Sequence, residues 1–238
     1  MKRLLALVAI LTLISLACGT SVPSVTPTPT VPPLPTKTPA PTSTPRPTST
    51  PRPTATFTPI PEPILLTGSG DSVTDVDKWR GPALLHLTYT GGGNFAVINY
   101  AAGNQRIDLL VNTIGAYEGT VPLDFLDTEH TVRFEIHASG AWTLEIRPFA
   151  TVRRVTLPTV VNGKGDDVFA VTGPNPDLLK ADASQAKGNF AVWAWTSSGR
   201  DLLINEIAPY TGTVLLDGDT FLFVVVADGP WSLDITAR

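Results

Sequence analysis

The sequence predicts an all-β protein: two tandem β-sandwich domains, jelly-roll or immunoglobulin-like, following a disordered linker. Three observations predict it. The stretch from Ile64 to Arg238 is one unit written twice. Within each unit Val, Ile, Thr and aromatic residues alternate with polar ones, and Gly, Asp and Asn interrupt the chain roughly every eight to twelve residues, the spacing of short strands. No segment of either unit sustains a helical period.

The chain opens with Met1-Lys2-Arg3 and an apolar run from Leu4 to Leu16 that ends at Ala17-Cys18-Gly19. The run is too short for a membrane span and reads as a secretion signal over residues 1–18. Cys18 is the sole cysteine. A small residue directly before a lone Cys resembles the lipobox of bacterial lipoproteins, although Ser15 and Leu16 stand where an apolar and a small residue are usual. The resemblance implies a lipid on Cys18 and a place on the outside of a cell membrane or outer membrane. Ordinary signal-peptidase cleavage, which leaves Cys18 free, is the alternative. A protein held by two or more acyl chains stays on a bilayer, whereas one chain binds marginally.

Residues 19–63 change composition. Fifteen of the 23 prolines fall between Thr20 and Pro63, alternating with Thr as in Thr26-Pro27-Thr28-Pro29. Proline removes backbone donors and favours polyproline II, so this stretch predicts a disordered, solvated stalk reaching at most roughly 140 Å. Leader and stalk carry Lys2, Arg3, Lys37, Arg46 and Arg52 against Glu62, a net +4, which leaves −8 for the rest of a chain whose total is −4. An acidic folded region lacks the basic stripe that nucleic-acid binding requires.

The repeated units occupy 64–149 and 159–238, with 150–158 as linker. Ile64 to Asp71 aligns with Thr159 to Asp166, and Asn94-Phe95-Ala96-Val97 recurs as Asn189-Phe190-Ala191-Val192. Asp108 to Asp124 and Asp201 to Asp217 agree at eleven of seventeen positions, and Gly140-Ala141-Trp142 answers Gly229-Pro230-Trp231. The strands of the first unit include Val132-Phe134-Ile136 alternating with Arg133-Glu135-His137, and Trp142-Leu144-Ile146 alternating with Thr143-Glu145-Arg147. Seven or eight such strands per unit are expected, with a hairpin at Asp217-Gly218-Asp219. The matched aromatics, Phe95 and Phe190, Trp142 and Trp231, Tyr117 and Tyr210, are expected in the core. Asp71 and Asp166, in paired Gly-x-Gly-Asp turns, are calcium candidates with Asp75, Asp77 and Asp167 nearby, or else cap the turn. No cofactor is expected.

The units differ in one informative way. If Phe221, Phe223 and Val225 take the inward places of Val132, Phe134 and Ile136, then Leu222, Val224 and Val226 face outward where the first unit has Arg133, Glu135 and His137. By the same parity Trp193 and Trp195 face outward, at the places of Ile98 and Tyr100. A bare apolar face requires a cover. The candidates are the first unit, a second copy of the protein, a ligand, or local packing under a loop. Trp193 and Trp195 form a flat platform of the kind on which sugar rings stack, and Tyr100, Leu222, Val224 and Val226 complete the candidate ligand or partner surface.

Nothing catalytic stands out. His86, His130 and His137 all belong to the first unit, and the chain has no Gly-x-Ser-x-Gly, no His-Glu-x-x-His and no His/Cys cluster. Gly-x-Gly-Asp, Asn-Phe-Ala-Val, Leu-Leu-Val-Asn-x-Ile-Gly-x-Tyr-x-Gly-Thr-Val and Gly-x-Trp, as found at Gly68, Asn94, Leu109 and Gly140, resemble repeats of secreted bacterial proteins of unassigned activity, which implies a sandwich domain outside a cell. The second copy departs at Ala208-Pro209, where the first has Gly115-Ala116, and in a less apolar stretch from Lys180 to Ser184. The expected function is a non-catalytic surface module that binds glycan or protein. A self-associating structural component of the envelope, or an enzyme or accessory domain acting on an extracellular polymer, are the alternatives.

Overall fold

The structure is a computed structural model that describes residues 59–238. Cys18, the leader and the stalk as far as residue 58 lie outside the described residues. Among the described residues no helix is long and apolar enough to cross a membrane.

Each unit folds into eight strands in two packed sheets. The first has β1 (Ile64–Ser69), β2 (Ser72–Asp75), β3 (Ala83–Tyr89), β4 (Asn94–Ala101), β5 (Gln105–Ile114), β6 (Tyr117–Leu123), β7 (Arg133–Ala138) and β8 (Ala141–Pro148). Its sheets run β1-β8-β3-β6 and β2-β7-β4-β5, all neighbours antiparallel. This is the jelly-roll order, which decides between the two topologies expected. The second unit repeats it with β10 (Thr159–Lys164), β11 (Asp167–Thr172), β12 (Pro176–Asp182), β13 (Asn189–Thr196), β14 (Gly199–Ile207), β15 (Thr211–Leu215), β16 (Leu222–Ala227) and β17 (Pro230–Ala237). Its sheets run β10-β17-β12-β15 and β14-β13-β16-β11. One strand is additional: β9 (Arg153–Thr156), from the stretch read as linker, lies parallel to β11 at the sheet edge. Val155 and Leu157 pack into the second core behind it.

Period-two patterning builds both cores. In the first, Leu85, Leu87, Phe95, Val97, Phe134, Ile136, Leu144 and Ile146 are fully buried. Phe169, Phe190, Val192, Phe223, Val225, Leu233 and Ile235 do the same in the second. The matched aromatics pack as expected: Tyr117 lies 5.9 Å from Phe95 and Tyr210 lies 5.9 Å from Phe190, ring centre to ring centre.

Trp142 and Trp231 explain the Gly-x-Gly-Asp turns. Each indole N–H donates to the carbonyl of the second glycine, at 3.0 Å to Gly70 and 2.9 Å to Gly165. The ring lies against the first glycine, so that a Cβ would sit 2.3 Å from Trp142 at Gly68 and 2.1 Å from Trp231 at Gly163. The second glycine turns the chain with φ of 74° at Gly70 and 76° at Gly165, the left-handed region that a side chain disfavours. The aspartate then accepts a backbone N–H at 2.9 Å, from Ala138 to Asp71 and from Ala227 to Asp166. A Gly68→Ala chain is expected to lose about 1–3 kcal/mol in urea denaturation, as overpacking does elsewhere, because the indole is anchored at its nitrogen and has nowhere to move.

Two expectations are corrected. Asp217-Gly218-Asp219 is no hairpin: β15 and β16 belong to different sheets, so the turn is a crossover. The short hairpin of this unit is instead β13–β14, closed at Thr196 and Gly199. Phe221, placed inward by parity, precedes β16 and is 43% exposed.

Candidate functional site

The candidate site is the seam between the two jelly rolls. Outward residues of β16 and β11, Leu222, Val224, Val168 and Ala170, are buried together with Leu84 of β3 and Val152 of the connection, and Phe125, Phe149, Trp193 and Trp195 pack around them. The apolar outer face of the second repeat is therefore covered by the first. Phe125 holds the centre, 5.3 Å from Phe149 edge-on and 5.3 Å from Trp195. Backbone and side chain bond across the seam as well: Thr120 N–H donates to the Asp166 carbonyl at 3.0 Å, and the Tyr117 hydroxyl donates to Asp166 Oδ2 at 2.7 Å.

Each residue singled out in the sequence has a definite place. Leu222 and Val224 are 0% and 5% exposed beneath the first repeat, and of the two Val224 also borders the groove at the seam. Trp195, half-buried, is held against Phe125. Trp193 and Val226, both half-buried, line a groove of about 470 Å³ together with Trp195, Asp108, Asn189, Arg200 and Asp228. The Arg200 guanidinium stacks 5.0 Å from the centre of the Trp193 ring. Tyr100 is elsewhere: it lies on the outer face of the first repeat, where its hydroxyl donates to Glu135. That bond holds the Glu135 carboxyl below its ordinary range and raises the Tyr100 phenol. The face joins Arg133 to Asp75 at 2.6 Å and His137 to Glu135 at 3.1 Å. Asp71 and Asp166, the calcium candidates, each accept a backbone N–H on Oδ1. Among the described residues no group of three or more His, Cys, Asp or Glu gathers as a metal site.

A wider cleft of about 1390 Å³ adjoins the groove. Its lining includes Thr88, Thr90, Asn94, Glu118, Lys164 and Asp228. Tyr117 and Asp166 line both depressions. Burial pushes the Tyr117 phenol well above its ordinary value, and the nearby Asp166 charge adds to the rise. Tyr117→Phe removes a donor from a largely buried carboxylate, and urea denaturation is expected to show a loss of about 1–3 kcal/mol.

Burial also raises the Asp166 carboxyl above its ordinary 3.8, against the lowering effect of the Tyr117 and Ala227 bonds. Asp167 is raised for the same reason, despite Arg153 beside it. A carboxyl raised in the folded state binds more protons there than in the unfolded chain, so its stabilising contribution is complete below the unfolded value and is lost as pH rises through the folded one. Urea denaturation from pH 4 to pH 7, set against Asp166→Asn/Asp167→Asn, is expected to show the wild-type stability falling relative to the variant as pH rises. A relative gain would refute this assignment.

Sequence reasoning missed two contributors to the seam. Arg200 sits opposite Trp195 in the β13–β14 register, which the Ser197-Ser198 turn would have revealed. Tyr117 was read as core, and its hydroxyl reaches into the other repeat, a contact no pattern within one unit announces.

No protein-family model matches the chain, and no curated protein does.

Proposed function

We propose that this chain is a non-catalytic binding module, held outside a bacterial cell by a lipid on Cys18, and that a glycan binds in the groove between its two jelly rolls. One observation carries the reading. At Trp193 a half-exposed indole meets Asp108, Asn189, Arg200 and Asp228 in a concave seam. An aromatic surface ringed by hydrogen-bonding groups suits a sugar, whose rings stack while their hydroxyls need partners. The carboxylates there are occupied in fixing backbone: Asp108 Oδ1 accepts the Leu109 N–H, Asp228 Oδ2 the Asn189 N–H, and Asp166 the Ala227 N–H and the Tyr117 hydroxyl. This favours holding a ligand over proton transfer. The self-associating alternative loses its main motive, since the apolar face of the second repeat is satisfied within the chain.

A glycan screen of the protein against Trp193→Ala tests the reading. Trp193 is the informative position, because its ring carries the Arg200 guanidinium in the groove whereas Trp195 is packed against Phe125 of the other repeat. The expected result is binding weakened roughly tenfold or more, equivalent to about 1.4 kcal/mol, in a variant shown by its unfolding curve to remain folded at the assay temperature. Equal binding by both proteins would place the ligand elsewhere.

A further inference from the structure

We infer that the ligand is a linear glycan without acidic groups, lying along the whole seam across the Tyr117–Asp166 bridge; this rests on the binding reading above. The groove and the cleft form one trough, since Asn112, Thr113, Tyr117, Asp166 and Asp228 line both. Their volumes, about 470 and 1390 Å³, together exceed the roughly 300–1,000 Å³ of a site built for one small molecule. Such a trough, open to solvent along a seam, fits a chain with several residues bound in line.

The two parts divide the work of recognition. The groove holds the aromatic rings of Trp193 and Trp195. The cleft alone is lined by the short hydroxyl and amide side chains of Thr88, Thr90 and Asn94, and it shares Asn112 and Thr113 with the groove. Hydroxyls and amides both donate and accept, which matches the hydroxyls of successive sugars without demanding charge. Charge then selects among glycans. Asp108, Glu118, Asp166 and Asp228 face the trough against Lys164 and Arg200. The guanidinium of Arg200 is already stacked on Trp193. With −8 on residues 64–238, the surrounding field also opposes a polyanion. Uronate, sulfated or phosphate-bearing polymers are therefore disfavoured, and neutral or amine-bearing ones fit.

Calorimetry on the full chain tests this with three linear series, each from disaccharide to octasaccharide: β-1,4-glucan, chitosan and oligogalacturonate. The expected result is affinity for the glucan or the chitosan that climbs roughly tenfold or more with length, and none for oligogalacturonate at physiological salt. Asn94→Ala, in the cleft alone, is expected to weaken the octasaccharide and leave the disaccharide unchanged, while Trp193→Ala weakens both. A disaccharide that binds as tightly as the octasaccharide, or an oligogalacturonate that binds best, overturns the inference and leaves glycan binding standing. Failure of all three series to bind overturns both.

Discussion

Asp124→Asn is expected to destabilise the first repeat by about 3–5 kcal/mol, the scale on which one member of a buried ion pair is lost. Lys78 Nζ lies 2.8 Å from Asp124 Oδ2, and both side chains are 0% exposed. The ammonium has three donors, and the other two reach the carbonyls of Trp79 at 2.9 Å and Gly81 at 3.2 Å. Asp124 also accepts the Thr131 N–H and the Thr131 hydroxyl. Thr131 in turn accepts from Asn99, whose Oδ1 accepts the Asp108 N–H. Every member is satisfied, so the network tolerates burial. Asparagine keeps the residue's tolerance for the positive φ of 54° found at this position, so the change isolates the charge. Urea denaturation with an unchanged slope would report it. A loss below about 1 kcal/mol, typical of an exposed pair, would mean that water reaches Lys78.

The second repeat shows what happens when that network is dismantled. Ala194 stands at the place of Asn99, Asp217 is exposed, and Thr220 at the place of Thr131 is buried with its hydroxyl unpartnered.

Leu222→Arg is expected to uncouple the repeats. Leu222 is 0% exposed in the apolar cluster that joins Leu84 and Val152 to β11 and β16. Removing such a side chain alone costs about 2–5 kcal/mol, and a guanidinium without a partner adds the penalty of a buried charge. Either the seam opens or the second sheet distorts. Because each jelly roll keeps its own core, calorimetry is expected to resolve two unfolding transitions in place of one cooperative event. A single transition at the wild-type midpoint would show that the seam contributes nothing to cooperativity. Arginine is informative here because the first repeat carries it at the matching position, Arg133, where it is exposed enough to pair with Asp75.

Much of the fold was legible because duplication and period-two patterning are both local in the sequence. Alignment of the copies located the core aromatics, and parity placed Leu222, Val224, Trp193 and Trp195 on the outer face. That parity survives because the register shift beside Trp193 lies between β13 and β14, while β13 keeps step with β16 from Phe190 to Trp195. What was missed depends on distant partners. The residues Asp217 to Asp219 look like any tight turn, and nothing in them says which sheet the next strand joins. β9 has only four residues and pairs in parallel across a connection, so neither hairpin geometry nor strong alternation marks it. Lys78 is a charged residue in a loop, and only the folded chain supplies the carboxylate and carbonyls that let it leave water. The groove was half legible: its tryptophan is visible in the sequence, whereas Asp108 and Arg200 reach it from strands whose place in the sheet no residue pattern declares.

The unequal outer faces of β7 and β16 give the duplication a direction and a limit. A copy accepts a predecessor on this face, and in the second copy the row is Leu222, Val224 and Val226. In the first copy the same row is Arg133, Glu135 and His137, already paired with Asp75, with Tyr100 and with one another. A third copy fused ahead of Ile64 would have to strip water from those charges for no apolar gain. Exchanging the order of the two copies would meet the same obstacle and strand the hydrophobic row in solvent. Lengthening this protein by a copy ahead of the first therefore requires rewriting β7.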